Sequence, residues 1–222
     1  THLMIMDDVV YDAYREAGAL ARKVLHQGAG LVKEGASLLE MVEATEAMVM
    51  EEGALLAFPL NVSFNEAAAH DTAMPGDERV FSRGDLIKVD LGVLIDGYIA
   101  DTAMTVDLGD HAPLVEASAG ALEAAIAAVR PGVTAGELGA IIQATIEERG
   151  YRPVANLTGH GLDRYNLHAR PTIPNVAMSG GAVIEEGMVF AIEPFATTGS
   201  GRISEAARVE IYRQIAARPA RL

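Results

Sequence analysis

The feature that most constrains the fold of this chain is an internal repeat carried on two offsets. Gly35, Ser37, Glu40 and Gly53 recur 97 positions later as Gly132, Thr134, Glu137 and Gly150. The run 84–90, Gly-Asp-Leu-Ile-Lys-Val-Asp, recurs 103 positions later as 187–193, Gly-Met-Val-Phe-Ala-Ile-Glu. The first set reads as a helix, with a Ser or Thr cap, a Glu three residues on and a closing glycine. The second reads as a strand ending in a carboxylate, so that Glu193 stands where Asp90 stands. A chain repeated in this way is expected to fold as two α+β halves related by pseudo-symmetry, with acidic residues meeting at the seam. The best linker candidate, 109–113, is short, so the halves, about 7–111 and 112–222, are read as one domain, 1–222.

Periodicity fills in the elements. Val10, Ala13, Tyr14, Ala17, Leu20, Ala21, Val24 and Leu25 predict a helix within 7–33, followed by one from Ser37 to Gly53. Strand-like pieces follow at 55–64, 86–95 and 98–106, then helices at 113–129 and from Thr134 to Gly150. Asp96-Gly97 between two alternating runs is a hairpin signal. A two-residue loop sets Gly92 opposite Asp101 and makes Asp90 a same-face diagonal neighbour of Asp101. A four-residue loop sets the two aspartates face to face, and only an odd-length loop would separate them. Like charges about 5–8 Å apart on a half-buried strand pair repel and resist desolvation. A bound cation removes that penalty.

With 222 residues, half of them apolar, the chain can build a sizeable core. The absence of cysteine fits a reducing compartment and restricts any metal to oxygen and imidazole ligands, which favours Mn, Fe, Co or Zn. A net charge of −14 argues against nucleic acid or an anionic membrane as partner. Only Lys23, Lys33 and Lys88 are lysines, as codon usage or salt adaptation would give. No run has the ~18 apolar residues of a membrane span and no signal peptide is evident; Thr1-His2-Leu3 resembles the remnant of a tag. A cytoplasmic protein is expected.

Of six histidines, His2, His26 and His111 read as structural. His160 lies between Gly159 and Gly161, which let the backbone approach closely. His168 follows before Pro171 and Pro174, and His70 ends the segment Asn65-Glu66-Ala67-Ala68-Ala69-His70. No nucleophile elbow, phosphate loop or dinucleotide fingerprint competes, and Gly180-Gly181 and Gly199-Ser200-Gly201 read as turns. Metal-assisted hydrolysis is the chemistry such residues support: two cations about 3.5–4 Å apart sharing a water and polarising a carbonyl.

Together these motifs resemble the methionine aminopeptidases of the pita-bread fold, and their archaeal type II branch in particular. The resemblance is carried by 58–70 (Phe-Pro-Leu-Asn-Val-Ser-Phe-Asn-Glu-Ala-Ala-Ala-His), the Asp90/Asp101 hairpin and 157–161 (Leu-Thr-Gly-His-Gly). It continues through Leu167-His168-Ala169, Ile173-Pro174-Asn175 and 190–197 (Phe-Ala-Ile-Glu-Pro-Phe-Ala-Thr). It implies that Asp90 chelates one metal and Asp101 bridges two, with His160 and Glu193 completing the first metal's set. Glu193 is then also a candidate general base for the bridging water that attacks the first peptide bond. His70 would sit near the scissile amide and His168 near the oxyanion, while Phe58 and Leu167 would line the pocket for the methionine side chain. The implied substrates are nascent polypeptide N-termini with a small second residue, met at the ribosome.

The family's fifth ligand is a glutamate on a last strand, after an inserted helical subdomain in type II enzymes. This chain stops at Leu222, about where the insertion would begin, and Glu205 and Glu210 lack the matching context. The resemblance therefore implies a pita-bread fold truncated before that strand, a weakened second metal site and an unpaired sheet edge. A fragment, a truncated product or a natural short form would each account for this. The shortened chain is expected to be nearly inactive. The rival functions are a non-catalytic pita-bread module that binds peptides or proteins, and a prolidase or aminopeptidase P, which normally carries an extra N-terminal domain.

Overall fold

The computed structural model describes residues 6–205 and Ile211. Helix α1 (Asp8–Ala29) starts at Asp7, whose carboxylate accepts the Val9 N–H, and buries Ala17, Ala21, Val24 and Leu25, one stripe at helical spacing. Helix α2 (Leu38–Glu51) is capped by the Ser37 hydroxyl. The single strand expected at 55–64 is two, β1 (Leu55–Leu56) and β2 (Asn61–Phe64). Pro59 has no N–H to offer a ladder, which separates them. Both pair antiparallel with β3 (Leu86–Ile95), whose other edge pairs with β4 (Tyr98–Asp107). Ile87, Val89, Leu91 and Val93 alternate onto the helix side and are fully buried. With Ala21, Val24, Leu38, Val49 and Phe81 they form the larger core. The intervening residues, among them Asp90 and Gly92, take the opposite face.

The second half repeats the plan. Helix α3 (Ala112–Ala128) presents Ala117, Ala121 and Ala125, small residues four apart that let α4 (Ala135–Glu147) approach closely. The capping box predicted at both second helices is complete at Thr134/Glu137, whereas at Ser37/Glu40 the recorded bond is the one from the Glu40 N–H to the Ser37 hydroxyl. Strands β5 (Arg152–Pro153), β6 (Thr158–Asp163), β7 (Asn166–Pro174) and β8 (Ala196–Thr197) follow.

Both offsets persist as hydrogen bonds. The Gly35 N–H donates to Phe81 O and the Gly132 N–H to Ile184 O, each at 2.8 Å. Leu38 N–H to Arg79 O recurs as Ala135 N–H to Ala182 O. The pair Leu55↔Leu94 recurs as Arg152↔Thr197, and Phe64↔Ile87 as Gly161↔Phe190.

The correspondence breaks at the return strand. Where β4 runs back along β3, the chain after Gly199-Ser200 turns towards 155–156: the Ala155 N–H donates to Gly201 O, and Asn156 exchanges two bonds with Ile203. Among the described residues no strand pairs with the second edge of 187–197. Glu205 is exposed, and Glu210 lies outside the described residues. No described helix is long and apolar enough to cross a membrane.

Candidate metal centre

The β3–β4 turn is the two-residue form. Asp96 and Gly97 both have positive φ, 52° and 92°, as a type I′ turn requires, and Gly92 pairs with Asp101. Asp90 and Asp101 therefore sit diagonally on one face. Asn61, directly opposite Asp90 on β2, donates its amide to Asp90 Oδ2 at 3.5 Å. Asp90 Oδ1 is buried without a partner. Burial, followed by the charges of Asp101 and Glu193, pushes the Asp90 carboxyl up to about 8.

The second half brings His160 on β6 and Glu193 to the same place. His160 Nε2 is 3.4 Å from Asp101 Oδ2 and 3.0 Å from Glu193 Oε1. Glu193 Oε1 is buried, and His160 is its one close polar neighbour among the described residues. His160 Nδ1 lies 3.2 Å from Gly161 O, and donation there leaves Nε2 to face the carboxylates. Burial opposes the charged imidazole, yet Asp101 and Glu193 outweigh it and push His160 up to about 10. The flanking glycines are needed for contact. A Cβ at Gly159 would collide with Ala191 O, and one at Gly161 with Arg170 O.

Ligand atoms of Asp101, His160 and Glu193 all lie within 4.8 Å of one another. Three carboxylates and one imidazole converge, Asp90 Oδ1 is buried without a partner, and the donors are all oxygen or nitrogen. That set fits a divalent cation, whose charge would relieve the repulsion that lifts Asp90.

His168, on β7, lies edge-on to His160 with ring centroids 4.6 Å apart. Its pKa is lowered, by burial first and then by His160, which keeps it a neutral imidazole at pH 7. His70 is exposed, has φ 66° and is close enough to add to that lowering. Phe58 lies over Gly92, where a Cβ would strike its ring. Leu167 is half-buried and stands next to His168 at an irregularity of the β6–β7 register, between the pairs Gly161↔Ala169 and Asp163↔Asn166. A cavity of about 400 Å³, lined in part by Ala135, Pro171 and Met178, includes none of these residues.

Residues 12–216 match metallopeptidase family M24. The chain belongs to this family. It is 48% identical over 217 residues to the methionine aminopeptidase of Archaeoglobus fulgidus, covering 98% of this chain and 75% of that protein. It is 48% identical over 213 residues to that of Pyrococcus horikoshii, covering 95% and 72%. Among solved structures, the methionine aminopeptidase of Thermotoga maritima superposes with a TM-score of 0.86 at 27% identity, covering 94% of this chain and 88% of that one. A prolidase from Pyrococcus furiosus gives 0.76 at 28%, covering 86% and 57%. The pita-bread fold expected from the sequence is thus the fold of the chain, and its relatives are metallo-exopeptidases.

Two contributors escaped the sequence reading. Asn61 reaches Asp90, and Asn175, fully buried, donates to both Leu157 O (2.9 Å) and Glu193 O (2.8 Å), fixing the backbone that carries Glu193. Their signal was an amide set among apolar residues, where it must find partners once buried.

Proposed function

We propose that this chain is the catalytic unit of a methionine aminopeptidase, removing the N-terminal methionine from polypeptides whose second residue is small. The reading is carried by the convergence of Asp101, His160 and Glu193 within 4.8 Å beside the stranded oxygen of Asp90. Asp90, Asp101, His160 and Glu193 would hold two divalent ions, among Mn, Co, Fe and Zn. When bound, such cations supply Lewis-acid charge that acidifies a water and polarises the scissile carbonyl. Glu193, with one carboxylate oxygen already in the site, accepts a proton from the attacking water. Neutral His168 donates to the oxygen on which charge develops, and His70 orients the scissile amide. Phe58 over Gly92 and Leu167 supply apolar surface for a thioether side chain. The two halves, about 7–111 and 112–222, act as one domain because each provides part of the ligand set. Nascent chains in the cytoplasm are the proposed partners, with neither nucleic acid nor membrane engaged by so acidic a protein.

The test is hydrolysis of Met-Ala-Ser by the full-length gene product with added Mn²⁺ or Co²⁺. Release of free methionine that stops on chelation is expected. No turnover from a folded, metal-replete protein would contradict the reading in favour of a binding module.

A further inference from the structure

We propose that Arg79 is a positioning residue that clamps the segment next to His70 and so fixes the His70 imidazole at the centre. This inference rests on the reading of His70 as a substrate contact. From Asn65 to Arg79 the chain has no helix or strand, and a stretch of that length needs tethers of its own. His70 has φ 66°, a left-handed conformation that a side chain with a Cβ adopts only when its surroundings impose it. Among the described residues, no hydrogen bond from its imidazole holds it there.

The constraint comes from its neighbours. On one side, residues 71–72 are tied to β2. The Val62 N–H donates to Asp71 O at 2.7 Å, the Asp71 N–H to the Ser63 hydroxyl at 3.3 Å, and the Thr72 hydroxyl to Leu60 O at 2.7 Å. On the other side stands Arg79. Its Nη1 donates to both Asp71 oxygens (3.0 and 2.8 Å), Nη2 to Thr72 O (2.8 Å), and Nε and Nη2 to Asp77. The guanidinium lies 5.6 Å from the centre of the Phe64 ring, which stacks on buried Phe81. Five donors in a planar fork are spent on three partners at once, a geometry that an ammonium group cannot reproduce. Residues 71–72 are thus held between β2, the strand that also carries Asn61 to Asp90, and a cation anchored at the far end of the same segment. His70 is the next residue along, and its backbone has nowhere to relax.

The test compares Arg79→Ala, Arg79→Lys, His70→Ala and the double variant in the full-length protein. Asp71→Asn replaces Arg79→Ala if the latter fails to fold. Amide hydrogen exchange at Val62 and Asp71 reads the clamp without reference to activity. Turnover of Met-Ala-Ser with Mn²⁺ reads its consequence, and calorimetric Mn²⁺ affinity reports on the metal centre. Arg79→Ala is expected to speed that exchange and lower kcat by about tenfold or more, the share a positioned acid–base group commands, with Mn²⁺ affinity and KM within about threefold. Arg79→Lys should resemble Arg79→Ala. In the Arg79→Ala background, His70→Ala should cost less than about threefold, because the two act as a unit. Unchanged exchange, an unchanged kcat or losses that multiply would overturn the proposal. Full turnover by His70→Ala alone would instead reject the role given to His70, whatever the exchange shows.

Discussion

At the scale of single residues, the centre is a set of groups held in uncomfortable protonation states. Asp90 is lifted to about 8 and His160 to about 10, each above its ordinary value of 3.8 or 6.5. In both cases the folded, metal-free protein binds the proton more tightly than the unfolded chain. The stabilisation each provides is therefore present below its unfolded value and fades as pH rises through the folded one. Metal-free protein should lose thermal stability from pH 6 to 9, and Mn²⁺ should restore it. At pH 7 both groups must shed protons to ligate, so metal binding should release protons, measured calorimetrically in buffers of different ionisation heat. Binding without proton release would show that these groups are not the ligands. The acids were legible in the sequence, as a strand pair and its repeat, while the choice of His160 among three candidate histidines came from the family resemblance. Asn61 and Asn175 were not legible, because an asparagine's partner depends on which backbone the fold brings beside it.

At the scale of elements, two hairpins carry the centre and are joined at their tips. The β6–β7 turn holds Arg164 and Tyr165. The Tyr165 N–H donates to Gly97 O at 2.7 Å and Arg164 Nε to Asp96 O at 2.9 Å, with the guanidinium over the Tyr98 and Tyr165 rings. Gly97 has φ 92°, and a Cβ there would press into the Tyr165 ring. Gly97→Ala should strain the turn and part the tips, costing about 1–3 kcal/mol in urea unfolding and weakening Mn²⁺ binding about tenfold or more. Retained Mn²⁺ affinity would mean that the tips do not govern the spacing of Asp101 and His160. Asp96-Gly97 marked the first hairpin and put Asp90 and Asp101 on one face for either even loop length, but only the structure decided for the Gly92↔Asp101 register. The helices followed from caps and apolar spacing. The hairpin-to-hairpin contact had no signature, since nothing in the sequence marks Arg164 and Tyr165 as partners of Asp96 and Gly97.

At the scale of the whole molecule, the repeat is what creates the centre. Bonds recurring at offsets of 97 and 103 orient each half so that Asp90 and Asp101 from one meet His160 and Glu193 from the other. The halves differ among the described residues, where β4 has no counterpart pairing with 187–197. This difference could not be read from the offsets, because Gly199-Ser200 matches the Asp96-Gly97 turn in position while the chain beyond it takes its bonds from 155–156. The central claim is that one cation is gripped by both halves together. Anomalous diffraction from a crystal grown with Zn²⁺ measures this directly. The account predicts a peak about 2.0–2.2 Å from Asp101, His160 and Glu193. A crystal whose only zinc peaks lie elsewhere, with His160 still paired to the two carboxylates, would contradict it.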